Sequence, residues 1–189
     1  MNQSKLIKQL TPQEIRKALY LSQLLFLILA VILSLFFFPS FFEWANLFKW
    51  DRNQIIFLGI VPALIIVLLE IVLYTFVPKK YFDDGGMNEK VFKNATVLQI
   101  AFIALVVAIC EEILFRGFVQ TIFGYIFASS LFAVIHYRYL TKPLLFILVV
   151  IISFLIGYLF EISGNLLITM SFHFVLDFLL GVYISKIVK

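Results

Sequence analysis

Apolar segments long enough to cross a lipid bilayer take up most of this 189-residue sequence. Hydrophobic residues make up 63% of the chain, and long apolar runs at this density indicate a membrane protein rather than a soluble domain. The sequence therefore predicts an all-α, polytopic membrane helix bundle with about six transmembrane helices. The predicted spans are Tyr20–Phe38, Ile55–Val77, Ala95–Ile122, Ile126–Leu140, Pro143–Phe160 and Asn165–Ser185.

The distribution of Lys and Arg predicts the orientation of the bundle. With a cytoplasmic N-terminus, 12 of the 15 Lys and Arg residues fall in cytoplasmic segments, and Lys49 and Arg52 alone fall in outer loops. Because cytoplasmic loops are enriched in Lys and Arg, both termini are predicted to be cytoplasmic. The net charge of +4 is therefore explained by membrane topology, and no nucleic-acid partner is expected.

Ionisable side chains inside the apolar segments are the candidate functional residues, since such groups are costly in a membrane and by default indicate a site. The chain has two histidines, and both lie in predicted spans. Glu70, in the second span, is a further intramembrane acid that lies outside the group of candidate residues named next. The other candidates lie in the third, fourth and sixth spans and are Glu111, Glu112, Arg116, His136, His173 and Asp177.

Helix geometry predicts that three of these groups lie at one depth. Spans three and four form a hairpin around Gly124, with Glu111 13 residues before it and His136 12 residues after it. At ~1.5 Å per residue, both side chains lie ~18–20 Å below the turn. His173 lies 8 residues into the sixth span, or ~12 Å from the same face. The three groups are therefore expected to share a layer slightly cytoplasmic of the midplane.

Two kinds of chemistry are open to such a layer. In the first, Glu111 deprotonates a water held near an imidazole, and a second imidazole stabilises the oxyanion of a tetrahedral intermediate. In the second, Glu111, His136 and His173 are three ligands of an open zinc site. Asp177, one turn after His173, is expected to fix the tautomer of that imidazole.

The neighbouring pair of charges has a simpler interpretation. Glu112 and Arg116 are four residues apart on one helix face, so they are expected to pair. The pair is interpreted as mainly structural, a neutralised buried ion pair that positions Glu111.

Three sequence motifs resemble those of a known family. The segments Glu111-Glu112-Ile-Leu-Phe-Arg116, Phe132-Ala-Val-Ile-His136 and His173-Phe-Val-Leu-Asp177 are similar to the EExxxR, FxxxH and HxxxN/D signatures of the CPBP family, which comprises CAAX proteases and bacteriocin-processing enzymes. The resemblance covers roughly residues 91–181. It implies a hydrolase, an intramembrane endopeptidase of the type II CAAX prenyl endopeptidase kind.

The resemblance also implies roles for the matching residues. Glu111 would be the general base that activates water, His136 would bind that water, and His173 with position 177 would stabilise the oxyanion. The family has been described both as zinc metalloproteases and as glutamate proteases that need no metal. This chain departs from the Asn form of the third motif, and an ionised Asp177 cannot donate a hydrogen bond. Asp177 is therefore either protonated or acts by orienting His173.

The resemblance further implies a division of the chain and a class of substrate. Residues 1–90 would form an N-terminal tail and two accessory transmembrane helices, and residues 91–189 a catalytic four-helix core. Membrane lipids and a membrane-associated or lipidated peptide or lipoprotein substrate are the expected partners, with CAAX-type processing or bacterial peptide maturation as the process. The expected location is the bacterial plasma membrane.

Two alternatives use the same residues differently. The chain would be a non-enzymatic bacteriocin self-immunity protein if Glu111 and His136 were dispensable for protection. A proton or ion carrier would use the Glu-His layer as a relay, but the sequence has no inverted repeat of the kind that transporters show.

Overall fold

The computed structural model describes residues 9–82, 84–140 and 142–187, and helices make up nearly all of that part of the chain. Short 3₁₀ turns at Lys79–Tyr81 and Tyr137–Tyr139 lie between helices. The helices are α1 (Pro12–Phe37), α2 (Glu43–Asn46), α3 (Arg52–Phe76), α4 (Met87–Phe92), α5 (Val97–Phe123), α6 (Tyr125–Ile135), α7 (Pro143–Ser163) and α8 (Leu166–Ile187).

Five helices are long and apolar enough to cross a membrane, namely α1, α3, α5, α7 and α8. The predicted polytopic helical bundle is thus confirmed. These helices leave rows of large hydrophobic side chains exposed, such as Leu24, Leu68 and Ile147, where lipid would contact them. The protein is an integral membrane protein.

The fourth predicted span, Ile126–Leu140, is shorter than the sequence suggested. Helix α6 has 11 residues and is ~16 Å long, about half of a ~30 Å hydrocarbon core. It ends because Nδ1 of His136 donates to the carbonyl oxygen of Phe132 at 2.8 Å. The backbone N–H of His136 bonds to Ala133 instead, so the chain tightens into the 3₁₀ turn.

Two of the spanning helices contain π-helical segments. One covers Ile55–Ile60 in α3 and the other covers Ile113–Gln120 in α5. The second follows Glu112 directly and carries Arg116, Gly117 and Gln120, all of them buried. π-helical turns within α-helices are frequent at functional sites.

Helices from the first half of the chain pack in the same hydrophobic clusters as helices from the second half. One buried cluster combines Ala30 of α1 with side chains of α5 and α6, such as Phe115 and Phe132. A second combines Val67 of α3 with side chains of α7 and α8, such as Phe172. The division at residue 90 stays a prediction, but α1 and α3 each supply part of a core that the later helices complete.

The polar segments gather at two ends of the bundle. At one end, Arg16 donates to the carbonyl of Val91, and α4 packs against both α1 and α8. At the other end, the side-chain amide of Asn165 donates to the carbonyl of Lys49 at 2.7 Å. The basic segments at the start of α1 and around α4 therefore lie together, in the arrangement that a cytoplasmic N-terminus requires.

The contact between α3 and α8 depends on a glycine. A methyl group at Gly59 would lie 2.8 Å from the carbonyl oxygen of Ile168 and 3.3 Å from Cβ of Ser171. Because the added methyl group would push against the α8 backbone, the two helices would have to move apart. Gly59→Ala should therefore lower the free energy of unfolding by about 1–3 kcal/mol. The measurement is thermal unfolding in detergent, with the outward-facing Ile65→Ala as the control. Equal stability of the two variants would contradict this close packing.

Candidate active site

Two consecutive glutamates of α5 lie in different surroundings. Glu111 accepts a hydrogen bond at Oε1 from Nε2 of Gln23 at 2.9 Å and lines a cavity. Glu112 is fully buried and accepts at Oε1 from Nδ1 of His173 at 2.8 Å. Successive residues of a helix point about 100° apart, which lets one carboxylate face the cavity while the next faces the protein interior.

Arg116 neutralises part of this buried charge. Its side chain is 0% exposed, and Nη1 lies 3.4 Å from Oε1 of Glu112, so the predicted ion pair is present. Nη2 donates to the carbonyl oxygen of Ser153 at 3.0 Å. The guanidinium carbon lies 4.5 Å from the centre of the Phe132 ring, a cation–π contact. Arg116 thus ties α5 to α6 and α7 as well as to its own helix.

His173 is surrounded by three carboxylates. Nδ1 bonds to Glu112, while Nε2 lies 3.5 Å from Oδ2 of Asp177 and 4.0 Å from Oε2 of Glu111. The expected convergence of Glu111 and His173 is therefore present. Because Glu112 can only accept through its carboxylate, Nδ1 of His173 carries a proton, and Nε2 faces the cavity side.

Asp177 contacts the His173 ring, as the spacing predicted, but at a different nitrogen from Glu112. The spacing suggested that it would fix the tautomer of His173, but Glu112 makes that hydrogen bond from another helix. Asp177 instead faces Nε2, on the same side as Glu111, with 33% of its side chain exposed.

His136 belongs to the same cavity but stands apart from the carboxylates. Its Nδ1 donates to the Phe132 carbonyl, which leaves Nε2 as an acceptor. The Phe132 ring contacts both imidazoles, with centroid distances of 4.8 Å to His136 and 6.2 Å to His173. Among the described residues, no hydrogen bond or ion pair joins His136 to Glu111 or His173.

These side chains share a cavity of about 1180 Å³. It reaches from the Glu111 carboxylate to Asp84 and Arg138, which lie in the loops at the end of the bundle that holds the start of α1. The polar groups that line its inner part are Gln23, Glu70, Glu111, His136, His173 and Asp177.

The proposed zinc ligands are not gathered around one point. Within the part of the chain that the structure describes, no three His, Cys, Asp or Glu side chains are grouped so as to hold a metal ion. Each imidazole uses Nδ1 in a hydrogen bond and keeps one nitrogen, as a metal ligand would, so the spacing of the three side chains is what does not suit a metal. The three-ligand set of Glu111, His136 and His173 therefore does not fit a metal in this arrangement.

Gln23 was not predicted from the sequence, and Phe132 was predicted without its contacts. Gln23, on the first span, bonds to Glu111 and is 4% exposed. The signal was an amide side chain inside an otherwise apolar segment. Phe132 was noticed as part of a motif, but its contacts with Arg116 and both histidines depend on tertiary structure.

Comparisons with known proteins agree with the motifs. The profile of the type II CAAX prenyl endopeptidase Rce1-like family matches residues 93–179. The chain is also 40% identical over 157 residues to the uncharacterized protein YpbD of Bacillus subtilis (strain 168), covering 83% of each chain. No solved structure shows a significant match. The chain belongs to the type II CAAX prenyl endopeptidase Rce1-like family, a family of intramembrane proteases.

The two adjacent glutamates should differ sharply in their effect on stability. Glu112→Gln leaves the buried Arg116 guanidinium without its carboxylate, so the free energy of unfolding should fall by about 3–5 kcal/mol. Glu111→Gln, at the cavity wall, should stay within about 1 kcal/mol of the native protein. Thermal unfolding of both variants in one detergent measures the difference. Similar losses for the two would contradict the division of roles between them.

Proposed function

We propose that the protein is an intramembrane endopeptidase that hydrolyses peptide bonds of membrane-associated or lipidated peptides and proteins, with Glu111 as the general base. The observation that carries this proposal is the 4.0 Å separation between Oε2 of Glu111 and Nε2 of His173 at the cavity wall. That distance is too long for a direct hydrogen bond, and it is one that a water molecule can bridge.

Hydrolysis then proceeds through Glu111. Its carboxylate takes a proton from the bridging water, and the water oxygen attacks the carbonyl carbon of the substrate. The electrons of the carbonyl bond move to its oxygen, which becomes an oxyanion. When the C–N bond breaks, Glu111 passes the proton to the leaving nitrogen. The products are a carboxylic acid, which still carries the second proton of the water and loses it to the amine or to solvent, and the amine; Glu111 is again ionised.

The oxyanion is stabilised by groups on α8. Nε2 of His173 and Oδ2 of Asp177 lie 3.5 Å apart beside the cavity, and in the proposed mechanism a proton on this pair is donated to the oxygen that becomes negative. Glu112 holds the other side of the His173 ring, which keeps Nε2 in place. His136 contributes Nε2 as an acceptor for the water or for the substrate. Each of these steps uses only side chains of this chain.

The cavity supports a substrate that is at least partly apolar. Its volume exceeds the ~300–1,000 Å³ of ordinary small-molecule pockets, and aliphatic and aromatic side chains such as Phe26, Val107 and Ile152 line it. A membrane-anchored peptide entering from the predicted cytoplasmic end would reach Glu111 through this space. The Bacillus relative supports a location in the bacterial plasma membrane.

Glu111→Gln should abolish hydrolysis while leaving the fold intact, because the amide cannot take the proton from water. The measurement is comparative peptidomics on membranes from cells that express the native chain or the variant at equal levels. We expect defined fragments that disappear in the variant. Their ends would identify the substrate and its cleavage site. Identical peptide profiles, with the host's natural peptides present, would contradict the proposed activity.

Two substitutions at position 177 test whether this side chain stabilises the oxyanion. Asp177→Asn should keep activity within about tenfold of the native rate because the amide donates a hydrogen bond. Asp177→Ala should lower the rate by about 10²–10³. Initial rates of cleavage in liposomes distinguish the two variants. If the Asp177→Asn and Asp177→Ala variants are equally inactive, the reaction requires a negative charge at position 177. The proposal that this side chain donates a hydrogen bond to the oxyanion is then wrong.

A further inference from the structure

Gln23 is the one side chain of α1 that bonds directly to a proposed catalytic group in the described structure. It is 4% exposed, although most large side chains of α1 face outward. Its Nε2 donates to Oε1 of Glu111 at 2.9 Å, and the residue lines the same cavity as His173. The helix that the family motifs leave out thus reaches the centre of the site.

The other half of the same amide has no partner within the described residues. Oε1 of Gln23 is buried, and neither a backbone nor a side-chain donor bonds to it there. An unpaired buried acceptor costs free energy, so such a group in a cavity indicates a ligand that supplies the missing donor. The orientation of the amide is fixed, since only its nitrogen can donate to the Glu111 carboxylate.

The surrounding groups indicate which donor would fit. A peptide that fills an apolar cavity displaces water from it and must find acceptors there for its backbone N–H groups. Among the other acceptors on the cavity wall, Glu111, His136 and Asp177 take part in the proposed reaction, and Glu70 is a further carboxylate. The neutral Gln23 oxygen is an acceptor that takes no part in proton transfer.

We propose that Gln23 is a positioning and substrate-binding residue: Nε2 fixes the Glu111 carboxylate, and Oε1 accepts a hydrogen bond from one backbone N–H of the bound peptide. This inference rests on the proposed peptidase function. The Glu111 oxygen that Gln23 holds is Oε1, which leaves Oε2 free to face Nε2 of His173. The same amide therefore aligns the base and selects the register of the peptide.

The test uses the purified full chain in liposomes and synthetic peptides that copy the sequence around a Glu111-dependent cleavage site. Each backbone nitrogen near that site is methylated in turn, which removes one N–H per peptide. Native protein should lose roughly tenfold or more in kcat/KM, mainly through KM, at one methylated position. In Gln23→Met, methylation at that same position should cost nothing further.

Ser22→Ala is the matched control. Ser22 also lines the cavity, but its hydroxyl bonds to the carbonyl of Leu19 in its own helix, so the native response to methylation should be retained. A Gln23→Met variant that keeps the native sensitivity to methylation would overturn the proposal. A native protein that tolerates methylation at every position would also overturn it, whether or not Gln23→Met folds.

The outcomes separate this inference from the proposed function. If Glu111→Gln removes no cleavage, the peptidase proposal fails and the Gln23 proposal fails with it. If Glu111→Gln is inactive and the methylation pattern is independent of Gln23, the peptidase proposal stands and only the role of Gln23 is wrong.

Discussion

The fully buried contact of Glu112 with Arg116 and His173 is the constraint on which the rest of the structure depends. Three ionisable groups on two helices meet where water does not reach, and such charges are tolerated only when they are paired and hydrogen-bonded. Arg116 extends the network to the Ser153 carbonyl of α7 and the Phe132 ring of α6. Four helices are thereby held at fixed distances, and His173 is held in one orientation.

A second consequence concerns the adjacent carboxylate. Because Glu112 and Arg116 face the interior, Glu111 is turned toward the cavity, where the Gln23 amide donates a hydrogen bond to it. The EE pair of the motif therefore places one glutamate in the interior and the other, the proposed general base, at the cavity, separated by a single step of the helix. Helix geometry alone points the Glu112 carboxylate into the interior and the Glu111 carboxylate to the cavity.

The sequence was enough to predict those site residues that are ionisable and therefore cost free energy to bury in a membrane. Histidines, glutamates and an arginine inside apolar spans stand out because a membrane protein does not place them there without a use. Helical spacing then placed Glu111 and His173 at one depth, and the structure brings them within 4.0 Å. The Glu112–Arg116 pair followed from the i, i+4 rule in the same way.

Other features depended on tertiary contacts that spacing cannot show. The end of α6 comes from the His136 side chain bonding to the Phe132 carbonyl, and hydropathy does not register such a bond. Local spacing predicted the contact of Asp177 with Nε2 of His173, but it did not predict that Glu112, 61 residues earlier in the chain, holds Nδ1. The Gln23 contact joins residues 88 apart and involves a neutral side chain.

The most direct measurement is the cleavage rate of a fluorogenic, farnesylated CAAX peptide by the purified protein in liposomes, with and without a strong metal chelator. If Glu111, His173 and Asp177 perform the reaction as proposed, native protein cleaves the peptide at a rate that the chelator leaves unchanged. Cleavage that stops with the chelator and returns when zinc is added would contradict the account.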